Sequence, residues 1–295
     1  MKLAAIDIGS NAIRLLIEEI YNDHDEFHIE KVSLTRVPVR LGEDVFTKGK
    51  ISKEKARQLE KTMKAFWHLM EVHDVVYYRA CATSAMREAK NKKEVLAKVF
   101  SESKIDIEVL SGDEEARLIF SNSVAQKLSN DESYLYIDVG GGSTELTLIR
   151  SGKKVKSKSF EIGTVRALMG GVKKGTHSKI EKWLSKVLLP NEQITAIGTG
   201  GNINTIFKIQ GKKPESLITL KEIDQLYQKL LQFTITERII QLRMKPDRAD
   251  VIIPAAEIYL HIMRFTGIEK MMVPKIGLSD GIILDMFENW KNEQN

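Results

Sequence analysis

Two segments of the chain place an aspartate, glycines and small polar residues in nearly the same order. The first covers residues 6–17 (IDIGSNAIRLLI) and the second residues 137–149 (IDVGGGSTELTLI), with Asp7 and Asp138 lying 131 positions apart. In each, an apolar run continues through the aspartate, is interrupted by glycine and then resumes, which predicts a strand, a tight turn and a strand. Because glycine lets a ligand approach the main chain closely, the N–H groups of such a turn can bind phosphate oxygens.

Side chains around the two turns support the same chemistry. Hydroxyl and amide groups add hydrogen-bond donors, and the aspartate is explained by a Mg²⁺ ion, since a carboxylate would repel a bare phosphate. Asp7 and Asp138 are therefore candidate metal ligands. The candidate phosphate-binding residues are Gly9, Ser10, Asn11, Arg14, Gly140, Gly141, Gly142, Ser143 and Thr144. Two unrelated hairpins are the alternative, but near copies at a domain-sized separation favour duplicated halves that face each other across a phosphate.

Residues 111–120 (SGDEEARLIF) predict a helix whose first turn contains two consecutive glutamates. Ser111 and Glu114 have the spacing of a capping box, so Glu114 is assigned to the helix N-terminus. Glu115 is not needed for capping and is a candidate general base that activates water. The alternative is that both acids only complement the helix dipole, and these residues alone do not decide between the two.

A third glycine-rich turn follows the apolar run at residues 194–199. Gly200 and Gly201 lie between a predicted strand and the start of a predicted helix, so they are candidate anion-binding residues. The turn lacks the G-x-G-x-x-G order of a dinucleotide site. A P-loop is also excluded at residues 170–177, because Thr176 and His177 stand where Lys and Ser or Thr are needed.

The elements that must position these residues alternate between strands and helices. Residues 52–73 carry apolar side chains at helical spacing with Ser52 as N-cap. Residues 75–81 predict a buried strand, and residues 105–110 predict another strand. A further helix is predicted over 178–188. This order indicates an α/β fold with a first domain at 1–124 and a second at 125–295, whose last helix, about 279–295, packs back on the first domain.

The composition is that of an intracellular globular enzyme. The 295 residues include 42% hydrophobic and 29% charged residues, which is enough for two domains with full cores. Cys81 is the single cysteine and lies in an apolar run, which predicts a core position and excludes an intrachain disulfide. Asp7 interrupts the N-terminal apolar run, and no run approaches the ~18 apolar residues of a membrane span. We therefore expect a cytoplasmic protein without membrane association.

The basic residues are gathered in short clusters. The formal net charge is +5, and we expect these clusters to steer a long polyanion. They do not favour nucleic-acid binding, which is typical of one continuous basic stripe. Ordinary solvated surface is the alternative for many of them. The clustered lysines are Lys153, Lys154, Lys156, Lys158, Lys173, Lys174, Lys208, Lys212 and Lys213.

Six motifs in this order resemble the exopolyphosphatase/guanosine pentaphosphate phosphohydrolase (Ppx/GppA) family. They are residues 7–11 (DIGSN), 82–89 (ATSAMREA), 111–120 (SGDEEARLIF), 138–145 (DVGGGSTE), 248–254 (RADVIIP) and 277–281 (GLSDG). The resemblance implies the actin-like, sugar-kinase-like and Hsp70-like ATPase fold, with two ribonuclease-H-like domains and an active-site cleft between them. Ser279 stands where the family commonly has an arginine, so one substrate or domain contact is expected to be missing.

The resemblance also implies roles for individual residues. Glu115 resembles the family's catalytic glutamate that activates water, which favours the general-base alternative. Asp138 and Glu145 resemble its acidic pair near Mg²⁺ and water, and Arg87 resembles its phosphate-contacting arginine. The segments that resemble its two phosphate-binding loops and one wall of its cleft are 9–11, 140–144 and 198–201.

The sequence therefore predicts a Mg²⁺-dependent hydrolase that releases orthophosphate from the end of inorganic polyphosphate. Guanosine pentaphosphate is the alternative substrate, and the basic clusters favour polyphosphate. An ATP-dependent kinase of the same fold is a further alternative, for which ATP consumption would require a co-substrate. A non-catalytic alarmone-binding regulator would instead bind a nucleotide without releasing phosphate. A homodimer and a monomer both remain open.

Overall fold

The computed structural model describes residues 1–24, 26–120, 129 and 132–294. The chain forms two compact units, one comprising Met1–Asn122 and Gly277–Asn295 and the other Ser123–Ile276. Each unit has a β-sheet and its own hydrophobic core, so the α/β class predicted from the sequence is confirmed. The sequence places the boundary after residue 124, and the compact units divide after Asn122.

The first unit is built on a five-stranded sheet with the order β3-β2-β1-β4-β5. Neighbouring strands β1, β2 and β3 are antiparallel, whereas β4 runs parallel to β1 and β5 parallel to β4. The strands are β1 (Lys2–Ile8), β2 (Ile13–Asp23), β3 (Glu26–Val37), β4 (Tyr77–Ala82) and β5 (Ile107–Val109). The helices are α1 (Leu41–Lys48), α2 (Lys53–Val72), α3 (Ser84–Glu88), α4 (Lys92–Ser103), α5 (Gly112–Phe120) and the C-terminal α13 (Leu278–Gln294).

Local sequence features of the first unit behave as predicted. The Ser52 side chain accepts a hydrogen bond from the N–H of Lys55, which confirms the N-cap of α2. The apolar residues at helical spacing in α2 are buried, and they include Leu59, Met63, Phe66 and Met70. Cys81 is fully buried in β4, and burial raises the pKa of its thiol to about 12, so it is a core residue.

The second unit has a six-stranded sheet with the order β10-β11-β9-β6-β7-β8. Its strands are β6 (Ser133–Val139), β7 (Thr144–Arg150), β8 (Lys153–Phe160), β9 (Ile194–Thr199), β10 (Leu217–Thr219) and β11 (Lys270–Met272). Its helices are α6 (Thr164–Leu168), α7 (Thr176–Val187), α8 (Gly201–Ile209), α9 (Leu220–Leu231), α10 (Ile235–Ile240), α11 (Pro246–Ala249) and α12 (Ile252–Thr266). None of the helices in the described part of the chain combines the length and apolar character needed to cross a membrane.

The two sheets repeat the same hairpin arrangement. In both, the first strand pairs antiparallel with the second and parallel with a later strand, β1 with β4 and β6 with β9. The second and third strands of both sheets also share a bulge, at Ile17/Glu18 and at Leu148/Ile149. Because strands, turns and bulges recur at one offset along the chain, the structure supports the duplication predicted from the sequence.

Helix α13 packs on the first unit although it comes last in the chain. The Asp285 carboxylate accepts hydrogen bonds from Arg79 and Arg117, each at 2.8 Å. A Cβ atom on Gly281 would lie 2.0 Å from the carbonyl oxygen of Leu118, so this glycine allows the close approach of α13 to α5. The Asp-Gly motif near the C-terminus therefore includes a residue with a structural role in the first unit.

Candidate active site

The turn between β6 and β7 has its carbonyl groups occupied and its inner N–H groups available. The N–H of Gly140 donates to the carbonyl oxygen of Ser143 at 3.0 Å, which closes the turn. The carbonyl oxygens of residues 140–142 accept hydrogen bonds from residues 164–166. Within the described residues, no hydrogen bond uses the N–H groups of residues 141–143. The Thr144 hydroxyl donates to the carbonyl of Ile162 at 2.6 Å, so this predicted ligand donor is used inside the fold.

Asp138 and Glu145 occupy directly opposite positions on β6 and β7, so their side chains lie on the same face of the sheet. Oδ1 of Asp138 accepts a hydrogen bond from the Thr199 hydroxyl at 2.9 Å, and Oε1 of Glu145 accepts one from the Ser159 hydroxyl at 2.7 Å. A hydroxyl on a neighbouring strand thus orients each carboxylate. Glu145 is 2% exposed, and a buried carboxylate requires such partners.

The donor chemistry of this pair fits a Mg²⁺ ion. Mg²⁺ prefers oxygen ligands and usually takes one or two carboxylates, with waters and substrate phosphates completing its octahedron. Among the described residues, no group of three or more His, Cys, Asp or Glu side chains is placed to hold a metal ion. Asp138 and Glu145 are two carboxylates of the kind that would hold the ion, with water and phosphate oxygens as its other ligands.

The third glycine-rich turn lies against Asp138. Gly200 has a φ of +100°, and a Cβ atom there would lie 3.1 Å from Oδ1 of Asp138. A Cβ atom on Gly201 would lie 2.0 Å from the guanidinium of Arg248, which donates to the Asn202 side chain at 3.1 Å. A side chain at either position would meet these neighbours, so both positions require glycine. The same close packing places Arg248 next to the turn.

In the first unit, the turn between β1 and β2 has the same closure. The N–H of Gly9 donates to the carbonyl oxygen of Ala12 at 3.1 Å. The Ser10 hydroxyl lies 2.8 Å from the Ser84 hydroxyl at the start of α3, so the side chain of Ser10 connects the turn to α3. The turn residues Ser10 and Asn11 are both buried.

Asp7 and Arg14, predicted to bind metal and substrate, contact each other. Nη1 of Arg14 lies 2.9 Å from Oδ2 of Asp7 in an ion pair. Burial raises the pKa of Asp7, whereas Arg14 and Arg36 oppose the rise and Asp280 adds to it. The carboxylate of Asp7, 5% exposed, thus has a cationic partner from its own hairpin. Metal binding by Asp7 stays a prediction.

Glu115 and Arg87 come together in the first unit. The Ser111 hydroxyl accepts a hydrogen bond from the N–H of Glu114 at 3.1 Å, which is one half of the predicted capping box. The Glu114 carboxylate is bound by Arg117 at 2.8 and 2.9 Å. Glu115 is 7% exposed, and its Oε2 lies 3.4 Å from Nη1 of Arg87. The predicted general base therefore lies next to the arginine predicted to contact phosphate.

Some side chains that contact the site were not named individually among its predicted residues, and Ser159, which orients Glu145, is one of them. Thr199 orients Asp138, and Arg166 donates from Nε to the carbonyl oxygen of Gly142 at 2.6 Å. The place of Thr199 at the end of a strand, directly before Gly200, is a signal that the sequence offers. Nothing comparable in the sequence marks Arg166.

Lys156 and Lys158 of β8 lie on the other face of the sheet from the carboxylate pair. Lys156 and Lys158 are paired with buried leucines of β7, whereas Glu145 is paired with Ser159. The ammonium of Lys158 lies 5.4 Å from the centre of the Phe160 ring. Strand β8 is an edge of the sheet, where lysines block pairing with another chain. These lysines therefore support the polyphosphate prediction less than the sequence suggests.

Comparison with known proteins identifies the family to which the chain is similar. Residues 20–290 match the profile of the Ppx/GppA phosphatase family. The chain is 25% identical over 304 residues to Exopolyphosphatase 1 of Mycobacterium tuberculosis, covering 96% of this chain and 88% of that protein. It is 31% identical over 315 residues to a bifunctional 3-dehydroquinate synthase/phosphatase of Fusobacterium nucleatum, covering 97% of this chain and 46% of that protein.

Solved structures agree with these relatives. A crystal structure of an exopolyphosphatase from Cytophaga hutchinsonii matches with a TM-score of 0.83 at 27% identity, covering 98% of both chains. The Aquifex aeolicus member of the Ppx/GppA family matches with a TM-score of 0.77 at 26% identity, again covering 98% of both chains. The fold is therefore the two-domain, actin-like ATPase fold of these neighbours. The chain belongs to the Ppx/GppA phosphatase family.

Proposed function

We propose that the protein is an exopolyphosphatase that hydrolyses the terminal phosphoanhydride bond of inorganic polyphosphate and releases orthophosphate. The turn between β6 and β7 carries the proposal, because its N–H groups at residues 141–143 lie between Asp138 and Glu145, which are paired across the two strands. Anion-binding amides next to two carboxylates suit the end of a phosphate chain accompanied by Mg²⁺.

The names of relatives favour polyphosphate as the substrate. Both the Mycobacterium tuberculosis relative and the Cytophaga hutchinsonii structure are called exopolyphosphatases. Guanosine pentaphosphate is the second candidate, since its 5′ end also presents a chain of linked phosphates and the family name includes this activity. Lys156 and Lys158 of β8 do not contribute to this choice, because they lie on the face opposite to Glu145.

Glu115 is the proposed general base. It accepts a proton from water while the water oxygen bonds to the terminal phosphorus and the bridging P–O bond breaks. Orthophosphate and a chain shortened by one phosphate are the products. Arg87, 3.4 Å from Glu115, is proposed to bind the terminal phosphate oxygens and to stabilise the charge that develops on them.

The remaining site residues have binding roles in this proposal. Asp138 and Glu145 are the residues that would hold Mg²⁺, which when bound supplies charge neutralisation for the phosphates. Each unit has its own proposed phosphate-binding groups, which are Ser10 and Asn11 in the first unit and the N–H groups at 141–143 in the second. Gly200 keeps its turn clear for the approach of Asp138, since a side chain there would contact the carboxylate.

A phosphate-release assay tests the proposal with long-chain polyphosphate, guanosine pentaphosphate and ATP, each with Mg²⁺ and with a chelator. We expect the fastest release from polyphosphate and loss of release in the chelator. Release from guanosine pentaphosphate alone would establish the second candidate. Nucleotide binding without release would identify a regulator, and ATP consumption that requires a co-substrate would identify a kinase.

A further inference from the structure

The segment after β8 packs against the β6–β7 turn on its carbonyl side. The N–H of Thr164 donates to the carbonyl oxygen of Gly140 at 3.0 Å, and the N–H groups of Val165 and Arg166 donate to that of Gly141 at 2.8 and 3.0 Å. These donors belong to the first turn of α6, where N–H groups have no partner within the helix. The carbonyl groups of the β6–β7 turn supply the missing partners.

The third carbonyl group of the turn is held by a side chain. Nε of Arg166 donates to the carbonyl oxygen of Gly142 at 2.6 Å. Arg166 is 4% exposed, and burying a guanidinium is costly unless its N–H groups are hydrogen-bonded. The side chain is therefore held in place by the same contact that fixes the turn.

These hydrogen bonds determine where the N–H groups of the turn point. In a trans peptide, the C=O of one residue and the N–H of the next point in opposite directions, and the described residues contain no cis peptide bond. Because the carbonyl groups of residues 140–142 point toward α6, the N–H groups of residues 141–143 point away from it. Three successive outward N–H groups form a concave anion site.

We propose that Arg166 is a positioning residue that fixes the peptide between Gly142 and Ser143, so that the N–H of Ser143 binds a phosphate oxygen. The inference rests on the proposed function of this turn as a phosphate-binding loop. Arg166 acts through the peptide plane and does not touch the substrate. The ligand group that the N–H of Ser143 binds is a terminal phosphoryl group.

Gly163 provides an independent way to disturb the same turn. A Cβ atom on Gly163 would lie 2.6 Å from the carbonyl carbon of Gly141 and from the nitrogen of Gly142. The φ of Gly163 is −158°, which any residue can adopt, so a substitution acts by steric contact and not by backbone strain. Gly163→Ala is therefore expected to displace the turn while Arg166 itself is unchanged.

Phosphate binding to protein labelled with ¹⁵N-glycine and ¹⁵N-serine tests the proposal by NMR. In the wild type, titration with inorganic phosphate is expected to shift the amide signals of residues 141–143. Arg166→Met is expected to weaken phosphate binding about tenfold or more, as for the loss of one hydrogen bond to a charged group. The largest change is expected at Ser143. In the release assay, kcat should fall roughly 10²-fold, with a smaller change in KM.

Arg238 offers a matched control within the same unit. It is also a buried arginine that donates to main-chain carbonyl groups, those of Leu230 and Ala249. Arg238→Met should lower the thermal stability to a similar extent and leave phosphate binding and kcat unchanged. If Arg166→Met binds phosphate as tightly as Arg238→Met does, the proposal is wrong.

Arg166→Lys decides the case in which the Met variant does not fold. Lysine keeps the charge but lacks the planar Nε donor, so we expect a folded protein with phosphate binding at least about threefold weaker. Unchanged binding would overturn the proposal, as would a wild type whose Ser143 amide does not respond to phosphate. If the amides respond but no polyphosphate is hydrolysed, the proposed function fails and the role of Arg166 is still decided by the binding data.

Discussion

The hairpin of β1 and β2 and the hairpin of β6 and β7 have equivalent turns, each closed by one main-chain hydrogen bond at 3.1 and 3.0 Å. Opposite the aspartate, the first hairpin has Arg14 and the second has Glu145. Arg14 forms an ion pair with Asp7, whereas Asp138 faces a second carboxylate. Both units therefore keep the same closed turn, but of these two hairpins only the second presents a carboxylate pair, which suits a cation.

The two turns are also supported differently. In the first unit, the main-chain N–H groups of Arg40 and Gly42 donate to the carbonyl oxygens of Asn11 and Ser10 at 3.1 and 2.9 Å. These bonds turn two successive peptide N–H groups outward by the same trans-peptide geometry. In the second unit, main-chain donors and the side chain of Arg166 together turn three outward. The second turn is therefore expected to make the larger contribution to phosphate binding.

The largest expected effect comes from closing the second turn. Gly141→Val places a branched side chain where phosphate approaches the main chain, and activity should fall roughly 10³-fold or more through loss of binding. Ser10 is the equivalent position in the first hairpin and already carries a Cβ atom, so Ser10→Ala is the matched control, with a loss below about tenfold. A folded Gly141→Val protein with normal phosphate affinity, measured by titration, would contradict the role of this turn.

Equivalent substitutions at the two aspartates test whether the two hairpins have different roles. Asp138→Asn should lower kcat by roughly 10² to 10³-fold and raise the Mg²⁺ concentration needed for half-maximal activity. Asp7→Asn removes the partner of Arg14 and should mainly lower the free energy of unfolding, by roughly 1–3 kcal/mol. Phosphate-release kinetics over a range of Mg²⁺ concentrations and urea unfolding give the two measurements. An equal change in Mg²⁺ dependence for both variants would favour Asp7 as a metal ligand.

The neighbouring glutamates of α5 provide a third comparison. Glu115→Gln should preserve the fold and substrate binding and lower turnover by ~10² or more, the usual contribution of a positioned general base. Glu114→Gln removes a partner of Arg117 and should affect mainly stability. Steady-state kinetics and thermal unfolding of both variants separate the two roles. Equal turnover in the two variants would show that the assignment of Glu115 is wrong.

Elements with local signals could be predicted from the sequence. The strand predicted at 75–81 is β4 at Tyr77–Ala82, and the helix predicted at 178–188 is α7 at Thr176–Val187. The N-caps at Ser52 and Ser111 were also predictable, because a cap and its donor lie three residues apart. The hairpins could be predicted for the same reason, because the glycines and the aspartate that define each one lie within a few residues of one another.

Contacts between distant residues could not be predicted in this way. Arg166 and Gly142 are 24 positions apart, and Arg117 and Asp285 are 168 positions apart. Their pairing depends on how strands and helices pack, and several arginines in the chain have equal local signals. The ion pair between Asp7 and Arg14 differs, because the hairpin places the two residues directly opposite each other. A carboxylate beside such a turn suits either Mg²⁺ or an arginine, so the sequence alone does not decide between the two partners.

The bulges of the two hairpins predict a difference in pH dependence. Glu18 lies at the bulge of the first hairpin, where the second has the buried Ile149. Burial raises the pKa of Glu18 to about 7, with Asp280 adding to the rise and Lys31 opposing it. Since this exceeds the ordinary value of 4.5, the folded state binds the proton more tightly than the unfolded state. The free energy of unfolding should therefore fall as the pH rises from about 4.5 to about 7.

Glu18→Gln should remove this part of the pH dependence. Urea unfolding of the variant and the wild type across that pH range measures the difference, with other titrating groups cancelling between the two proteins. Glu19→Gln, at the next position of β2, is the control and should follow the wild type. If the wild type and Glu18→Gln lose stability in parallel, the raised pKa of Glu18 is not the cause.

The smallest expected effect concerns the edge strands, which also differ between the units. Strand β3 exposes apolar side chains such as Leu34, whereas β8 exposes Lys156 and Lys158. Because these lysines lie on the face opposite to Glu145, replacing both with serine should lower kcat/KM by less than about threefold. The loss should be equal for long polyphosphate and guanosine pentaphosphate. Added salt should change kcat/KM of the variant and of the wild type to the same extent, since exposed charges are screened beyond ~8 Å at physiological ionic strength. A loss of tenfold or more that is confined to long polyphosphate would show that β8 binds the distal part of the chain.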